Sequence, residues 1–326
     1  MIPPMFESVA SFGALCRSAR RAARGKSLTL EAASFLFDLE PECLRLQREL
    51  LAGEYRPGPY RTFRIRDPKP RTISAAPFRD RVVHHALCAA LEPAFEAVAD
   101  ADSYACRVGK GTTAALARAR EFTRLAPCFL KLDVEHCFET IAHEVLKHQL
   151  RDLRTDDRLL GLADLFIDTG APGSPPGRGL PIGNLTSQHF ANFHLTALDH
   201  VVRELSGIVG YVRYMDDLLL FGERPALRIA RTALQVAVPL RLRLTLKHRV
   251  TQLAPVATGV PFLGFRLFPG TARLDGVRAR RFRARIRALA SRTPEDRAAA
   301  AASLCAWAAL GDTLAFRRSF FNDRGA

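Results

Sequence analysis

The sequence predicts an α+β fold, and three observations carry that prediction. Apolar residues recur at helical spacing from Leu28 to Leu51 and again through Phe190, Phe193, Ala197, Val201 and Leu205. Two β-branched or aromatic arms, within Gly210 to Phe221, flank Met215-Asp216 in the pattern of a tight antiparallel hairpin. A short apolar run, Cys128 to Val134 behind Pro127, reads as a buried strand that ends at an acidic residue. With 326 residues the chain exceeds the usual single-domain size, so two or three subdomains around a sizeable core are expected.

Taken in order, the first 55 or so residues are helix-rich, with a basic cluster at Arg17, Arg20, Arg21, Arg24 and Lys26. Arg56-Pro57-Gly58-Pro59 ends the helix, and Tyr60 to Ser74 reads as a basic β-hairpin turning at Asp67-Pro68-Lys69-Pro70. Arg79 to Phe95 and Ala114 to Arg124 suit helices. Residues 168 to 183 hold five glycines and four prolines, which forbids a helix there. A helix begins after Asn184, where Asn184, Thr186 or Ser187 can cap it. Beyond the hairpin, Ala226 to Val238 suits a helix, while Leu242 to Leu246 and Phe262 to Leu267 suit strands. The tail from Val277 returns to helix and carries six arginines between Arg278 and Arg287, with Phe282, Ile286 and Leu289 on one face.

Charge narrows the partner. Lysine plus arginine number 48 against 33 acidic residues, and a net charge of +15 suits a polyanion better than a small metabolite. The seven cysteines are scattered without a CxxC pair, so zinc or a redox dithiol is not expected and they read as core residues in a reducing cytoplasm. The amino terminus lacks a signal-peptide pattern and no apolar stretch approaches the ~20 residues that span a bilayer, so a cytoplasmic protein is expected. His84-His85 has no third ligand at a suitable spacing and reads as structural.

The candidate chemistry lies in the carboxylates. In-line phosphoryl transfer is favoured by two divalent ions ~3.5 to 4 Å apart, and hard Mg²⁺ prefers oxygen ligands. Asp133 at a strand end and Asp216 in a hairpin turn can meet if their strands are neighbours. Alternation along the strand is expected to put Asp217 on the opposite face, as a peripheral ligand.

Tyr214-Met215-Asp216-Asp217 resembles the YxDD box of reverse transcriptases, and Leu132-Asp133 through Phe138 resembles their first carboxylate motif. The resemblance covers nearly the whole chain. It implies a right-hand polymerase fold: an amino-terminal helical extension over 1–58, fingers over 59–125, a palm with an antiparallel sheet over 126–265 with a fingers insertion at about 145–182, and a short helical thumb over 266–326. No RNase H or endonuclease domain is expected after the thumb. By the same resemblance Asp133, Asp216 and Asp217 are catalytic and, with Val134, hold two Mg²⁺ ions, which Mn²⁺ can replace.

Other positions follow from the same likeness. Lys69 and Arg71 would hold the triphosphate, and Phe138 would be the steric gate against a ribose 2′-hydroxyl. Ile182 and Gly183 would lie at the incoming nucleotide, and Phe262, Leu263 and Gly264 would form the primer grip. Either Lys247 or Arg249 would protonate pyrophosphate, because Leu246-Lys247-His248-Arg249-Val250 departs from the usual lysine pair. Arg278, Arg281 and Arg285 would grip the template-primer duplex, with Trp307 packing the thumb together.

One stretch resembles a single branch of the family. Ile182-Gly183-Asn184-Leu185-Thr186-Ser187-Gln188 has the IGNxxSQ form of diversity-generating retroelement enzymes, where most relatives carry QGxxxSP. The branch implies a template RNA copied into adenine-mutagenised cDNA that is installed in a variable gene, and a small basic accessory protein that forms a ring. Ile182 offers only apolar contact where a glutamine would donate and accept hydrogen bonds, which predicts weaker discrimination; by the same resemblance the errors would fall opposite template adenine. The rival readings are a retron or phage-defence reverse transcriptase, and a basic RNA-binding protein with an inactive polymerase fold.

Overall fold

The computed structural model describes residues 6–25, 29–66, 70–289 and 293–320. Helices α1 (Phe6–Val9), α2 (Phe12–Ala22), α3 (Leu30–Phe37) and α4 (Leu39–Ala52) open the chain, followed by the hairpin β1 (Arg61–Arg66) and β2 (Pro70–Ala75). Helices α5 (Phe78–Val98) and α6 (Thr112–Leu125) precede strand β3 (Cys128–Asp133). Then come α7 (Cys137–Thr140), α8 (His143–Asp152), α9 (Asp157–Asp168), α10 (Leu185–His194) and α11 (Thr196–Arg203). Strands β4 (Ile208–Tyr214) and β5 (Asp217–Gly222) lead into α12 (Arg224–Leu242). Four short strands, β6 (Gln252–Pro255), β7 (Val260–Phe262), β8 (Phe265–Phe268) and β9 (Thr271–Leu274), precede α13 (Gly276–Ala288), α14 (Pro294–Ala308) and α15 (Leu314–Arg318). Among the described residues no helix is long and apolar enough to cross a membrane.

The chain forms two compact units. The first comprises Met1–Asp100, Val134–Leu198 and Ala237–Thr245. Its centre is α5, which packs against α2 and α10; Phe95 stacks on Phe193 at 4.8 Å between ring centroids. Gly53 ends α4 in the left-handed conformation that a side chain would resist, its N–H donating to the Glu49 and Leu50 carbonyls. The chain then turns into β1 under the control of Asp80, whose carboxylate accepts from Tyr55 Oη at 2.6 Å and Gly58 N at 2.7 Å.

The second unit comprises Ala101–Asp133, Asp199–Val236 and Leu246–Ala326. It holds a sheet in the order β4-β5-β3-β6, every pair antiparallel, and a three-stranded antiparallel sheet β7-β8-β9. Alternation along β3, β4 and β5 turns Phe129, Val212, Leu219 and Phe221 into one apolar cluster with Phe262, Phe265 and Leu267 of the second sheet. Helix α6 covers that cluster with Leu116 and Phe122, and a side chain at Gly210 would run into the Phe122 ring. Trp307 lies 5.3 Å from Phe265 between centroids, the contact expected of a residue that packs the carboxy-terminal helices.

Two sequence expectations need correction. Leu242 to Leu246 is no strand: α12 runs through Leu242, Arg243 turns at φ 53°, and Leu246 makes a single isolated bridge, so the buried Leu242, Leu244 and Leu246 share no strand. Phe262 to Leu267 is two strands rather than one, because Leu263 (φ 47°) and Gly264 (φ 87°) make a two-residue turn between Phe262 and Phe265. The short strands β6 and β9 carry too little pattern to be read beforehand. Residues 168–183 are irregular after Asp168, as their glycines and prolines require.

Candidate active site

The hairpin β4-β5 closes through Met215-Asp216, since Tyr214 pairs with Asp217 across the ladder. Met215 takes φ 54°, a conformation uncommon for a residue with a side chain, in a two-residue hairpin turn. Strand β3 pairs with β5 so that Asp133 stands directly opposite Asp217. Residues opposite each other in an antiparallel pair share a face, with Cβ atoms about 4.5 to 5.5 Å apart. Asp217, rather than Asp216, is therefore the cross-strand neighbour of Asp133. Alternation fails to predict this because Asp216 sits in the turn, outside the ladder to which alternation applies.

Two lysines hold the paired carboxylates. Lys131 Nζ donates to Asp217 Oδ2 at 2.9 Å, and Lys247 Nζ donates to Asp133 Oδ1. The Lys247 N–H also donates to the Asp133 carbonyl at 2.8 Å, fixing the segment after α12 beside β3. Arg249 is exposed in the single turn of 3₁₀ helix that follows. Burial pushes the Asp217 carboxyl up to about 6; Lys131 opposes the shift, and the charges of Asp133 and Asp216 add to it. Asp217 Oδ1 is buried with no hydrogen-bond partner.

That orphaned oxygen and the all-oxygen donor set of Asp133, Asp216 and Asp217 fit a hard divalent cation. Among the described residues, however, no three His, Cys, Asp or Glu side chains are gathered closely enough to hold a metal ion. The lysines take up one oxygen each of Asp133 and Asp217 and, on Asp217, leave Oδ1 for a cation.

The second unit also carries the β7-β8 turn. A Cβ at Gly264 would meet Arg278 Nε at 3.1 Å and Trp307 at 3.4 Å, so this turn rests closely on α13 and α14. Phe262 is buried, whereas Leu263 and Gly264 are half-buried. Arg278 and Arg281 are half-buried and Arg285 is exposed along α13.

The remaining candidates lie in the first unit. Val134 is fully buried, so its apolar side chain offers no ligand and only its main-chain carbonyl is available to a metal. Phe138 is half-buried in α7, and its carbonyl accepts from Leu180 N at 2.6 Å. The Ile182 carbonyl accepts from Ser74 N at 2.8 Å, which ties the segment before α10 to β2. Gly183 has φ 114°, and a Cβ there would lie 2.8 Å from Ile73 Cγ2 and 3.3 Å from the Ser74 carbonyl. This glycine is thus demanded by contact with β2 in the protein itself. Thr72, Ser74, His136, Glu139 and Ile182 line an adjoining hollow of about 380 Å³. Arg71 is exposed on β2, and Lys69 lies outside the described residues.

The reverse transcriptase (RNA-dependent DNA polymerase) family pattern matches residues 65–267, a span that includes all three carboxylates. The chain belongs to the reverse transcriptase family. Among its relatives, the protein YkfC of Escherichia coli K12 is 26% identical over 279 residues, 72% of this chain and 73% of YkfC. A putative COX1/OXI3 intron 1 protein of Saccharomyces cerevisiae is 26% identical over 163 residues, covering 48% of this chain and 20% of that protein. Among solved structures, telomerase from Candida albicans in complex with a fragment of telomeric RNA superposes with a TM-score of 0.51 at 12% identity, over 68% of this chain and 46% of that one. The chain therefore spans less than half of the telomerase chain. The likeness is one of fold, the right hand of reverse transcriptases.

Two members of the site escape motif reading. Lys131 stands two residues before Asp133 on the same strand, and period-two alternation would have placed both on one face. The other is a buried pair: Arg213 Nε lies 2.6 Å from Asp199 Oδ1, with both side chains at 0% exposure. Nothing in the helical pattern around Asp199 announces it.

Proposed function

We propose that this reverse transcriptase adds deoxynucleotides to a primer 3′-hydroxyl on an RNA template, releasing pyrophosphate, and that it does so for a diversity-generating retroelement. The observation supporting the chemistry is the register that sets Asp133 against Asp217 with Asp216 in the adjoining turn. Asp133, Asp216 and Asp217, with the Val134 carbonyl, would hold the divalent ions. Bound there, such ions activate the attacking hydroxyl and neutralise charge developing on the phosphates.

The chain's own groups would divide the rest of the work. Lys247, already against Asp133, would hold the proton that pyrophosphate takes up, a role for which the exposed Arg249 is less well placed. Lys69 and Arg71 would bind the triphosphate through charge-assisted hydrogen bonds. Phe138 would exclude a 2′-hydroxyl, and Gly183, held against β2, would present Ile182 to the incoming nucleotide. The turn of Phe262, Leu263 and Gly264 would support the primer end, while Arg278, Arg281 and Arg285 would neutralise duplex phosphates.

The retroelement reading is supported by the IGNxxSQ stretch, which places Ile182 where an amide would otherwise discriminate between nucleotides. It brings with it a dedicated template RNA and a small basic accessory protein as partners. The test is sequencing of cDNA made on one defined RNA. Errors concentrated opposite template adenine are expected; errors spread evenly over the four template bases would remove the retroelement assignment.

A further inference from the structure

We propose that Arg213 is a positioning residue that holds the Met215-Asp216 turn in its working conformation. Its guanidinium grips Asp199 bidentately, Nε to Oδ1 and Nη2 to Oδ2, both at 2.6 Å. Tyr211, two residues back on the same face of β4, donates to Asp199 Oδ1 at 2.6 Å. The third guanidinium nitrogen, Nη1, reaches the Met215 carbonyl at 3.3 Å. The Arg213 main chain is fixed as well, with N donating to the Asp102 carbonyl at 2.9 Å and O accepting from Tyr104 N at 2.9 Å.

Stability alone does not account for this arrangement. Desolvating two charges offsets most of what their attraction contributes, and well-packed apolar residues of similar volume often replace a buried ion pair without loss. An apolar side chain, however, cannot donate to the Met215 carbonyl. That carbonyl belongs to the residue with φ 54° immediately before Asp216, where other backbone conformations compete. Asp199 fixes the fork, the fork fixes the carbonyl, and the carbonyl fixes the peptide that aims the Asp216 side chain.

The inference rests on Asp216 being catalytic, which D216N tests separately through the loss of most extension. The test of Arg213 uses the full chain carrying R213M, D199L and Y211F together, which removes the ion pair and its third partner without leaving a buried charge. The expected result is a melting temperature close to the parent's, primer-template affinity within about two-fold, and single-turnover incorporation slower by roughly ten- to a hundred-fold, the loss that follows misplacement of a reacting group by about 1 Å. A purely structural role would move melting rather than the rate. R213K keeps Asp199 paired but cannot make both the fork and the third contact, so it serves if the triple variant does not fold; the same selective rate loss is expected. A folded triple variant or R213K with the parent's rate would overturn the proposal, as would loss of folding in both.

Discussion

Lys131 Nζ bridges Asp217 Oδ2 at 2.9 Å and the Pro261 carbonyl at 3.0 Å, so one ammonium ties the start of β5 to β7. The β4-β5 hairpin and the strand leading into the proposed primer grip are thereby joined through a single side chain. Removing it leaves Asp217 facing Asp133 and Asp216 with its nearest counter-charge gone. K131M is expected to slow extension by about ten- to a hundred-fold, since a hydrogen bond to a charged group contributes about 1.5 to 3 kcal/mol and 1.4 kcal/mol is a factor of ten. K131R should retain more activity than K131M. Single-turnover extension by the two variants checks this, and equal rates for K131M and the native chain would remove Lys131 from the site.

Phe138 lies in α7 with its ring half-buried and its carbonyl engaged by Leu180 N. A ring that served only the core would be fully enclosed more often than this one is. F138A is expected to admit ribonucleotides with little loss of dNTP incorporation, because truncation opens the space that a 2′-hydroxyl needs. Competition between rNTP and dNTP on one template reads the ratio directly. Unchanged rejection of rNTPs would return Phe138 to a packing role.

His84 supplies a pH-dependent test of the first unit. Neither ring nitrogen has a hydrogen-bond partner, and the ring stands edge-on to Phe166 at 4.4 Å between centroids. Burial pushes its pKa down to about 3, helped by repulsion from His85 and Arg81. The unfolded chain, with an ordinary value near 6.5, binds the proton more readily than the native state does. The contribution of neutral His84 to stability is thus fully present above pH ~6.5 and is lost as pH falls from there toward 3, by about 1.4 kcal/mol per unit. Between pH 7 and pH 5 the native chain should lose about 2 kcal/mol that H84M keeps. Urea unfolding at the two pH values measures the difference, and parallel losses in both proteins would contradict it.

What was legible in the sequence, and what was not, divides along physical lines. Asp133, Asp216 and the helices α5, α6 and α10 could be read because local pattern alone sets them: an apolar run ending in an acid, two apolar arms around a turn, and periodic burial. The pairing of Asp133 with Asp217 could not, because it depends on which residues the turn consumes. Leu242, Leu244 and Leu246 alternate as a strand does, yet Leu242 ends a helix and only Leu246 makes a bridge, so burial is satisfied without a strand. Leu263-Gly264 reads as a glycine within a strand until both residues are known to take positive φ. Arg213 and Asp199 meet only in three dimensions, and a buried charge pair leaves no periodic trace in either segment.

The most direct test of the central claim is primer extension on an RNA template with Mg²⁺ by the native chain and by D216N, with RNA affinity measured on both. Asp216 is expected to serve the reaction while the basic residues bind the phosphates, so D216N should lose most extension and keep its RNA affinity within about two-fold. D216N that still extended the primer at the native rate would contradict the account of this site.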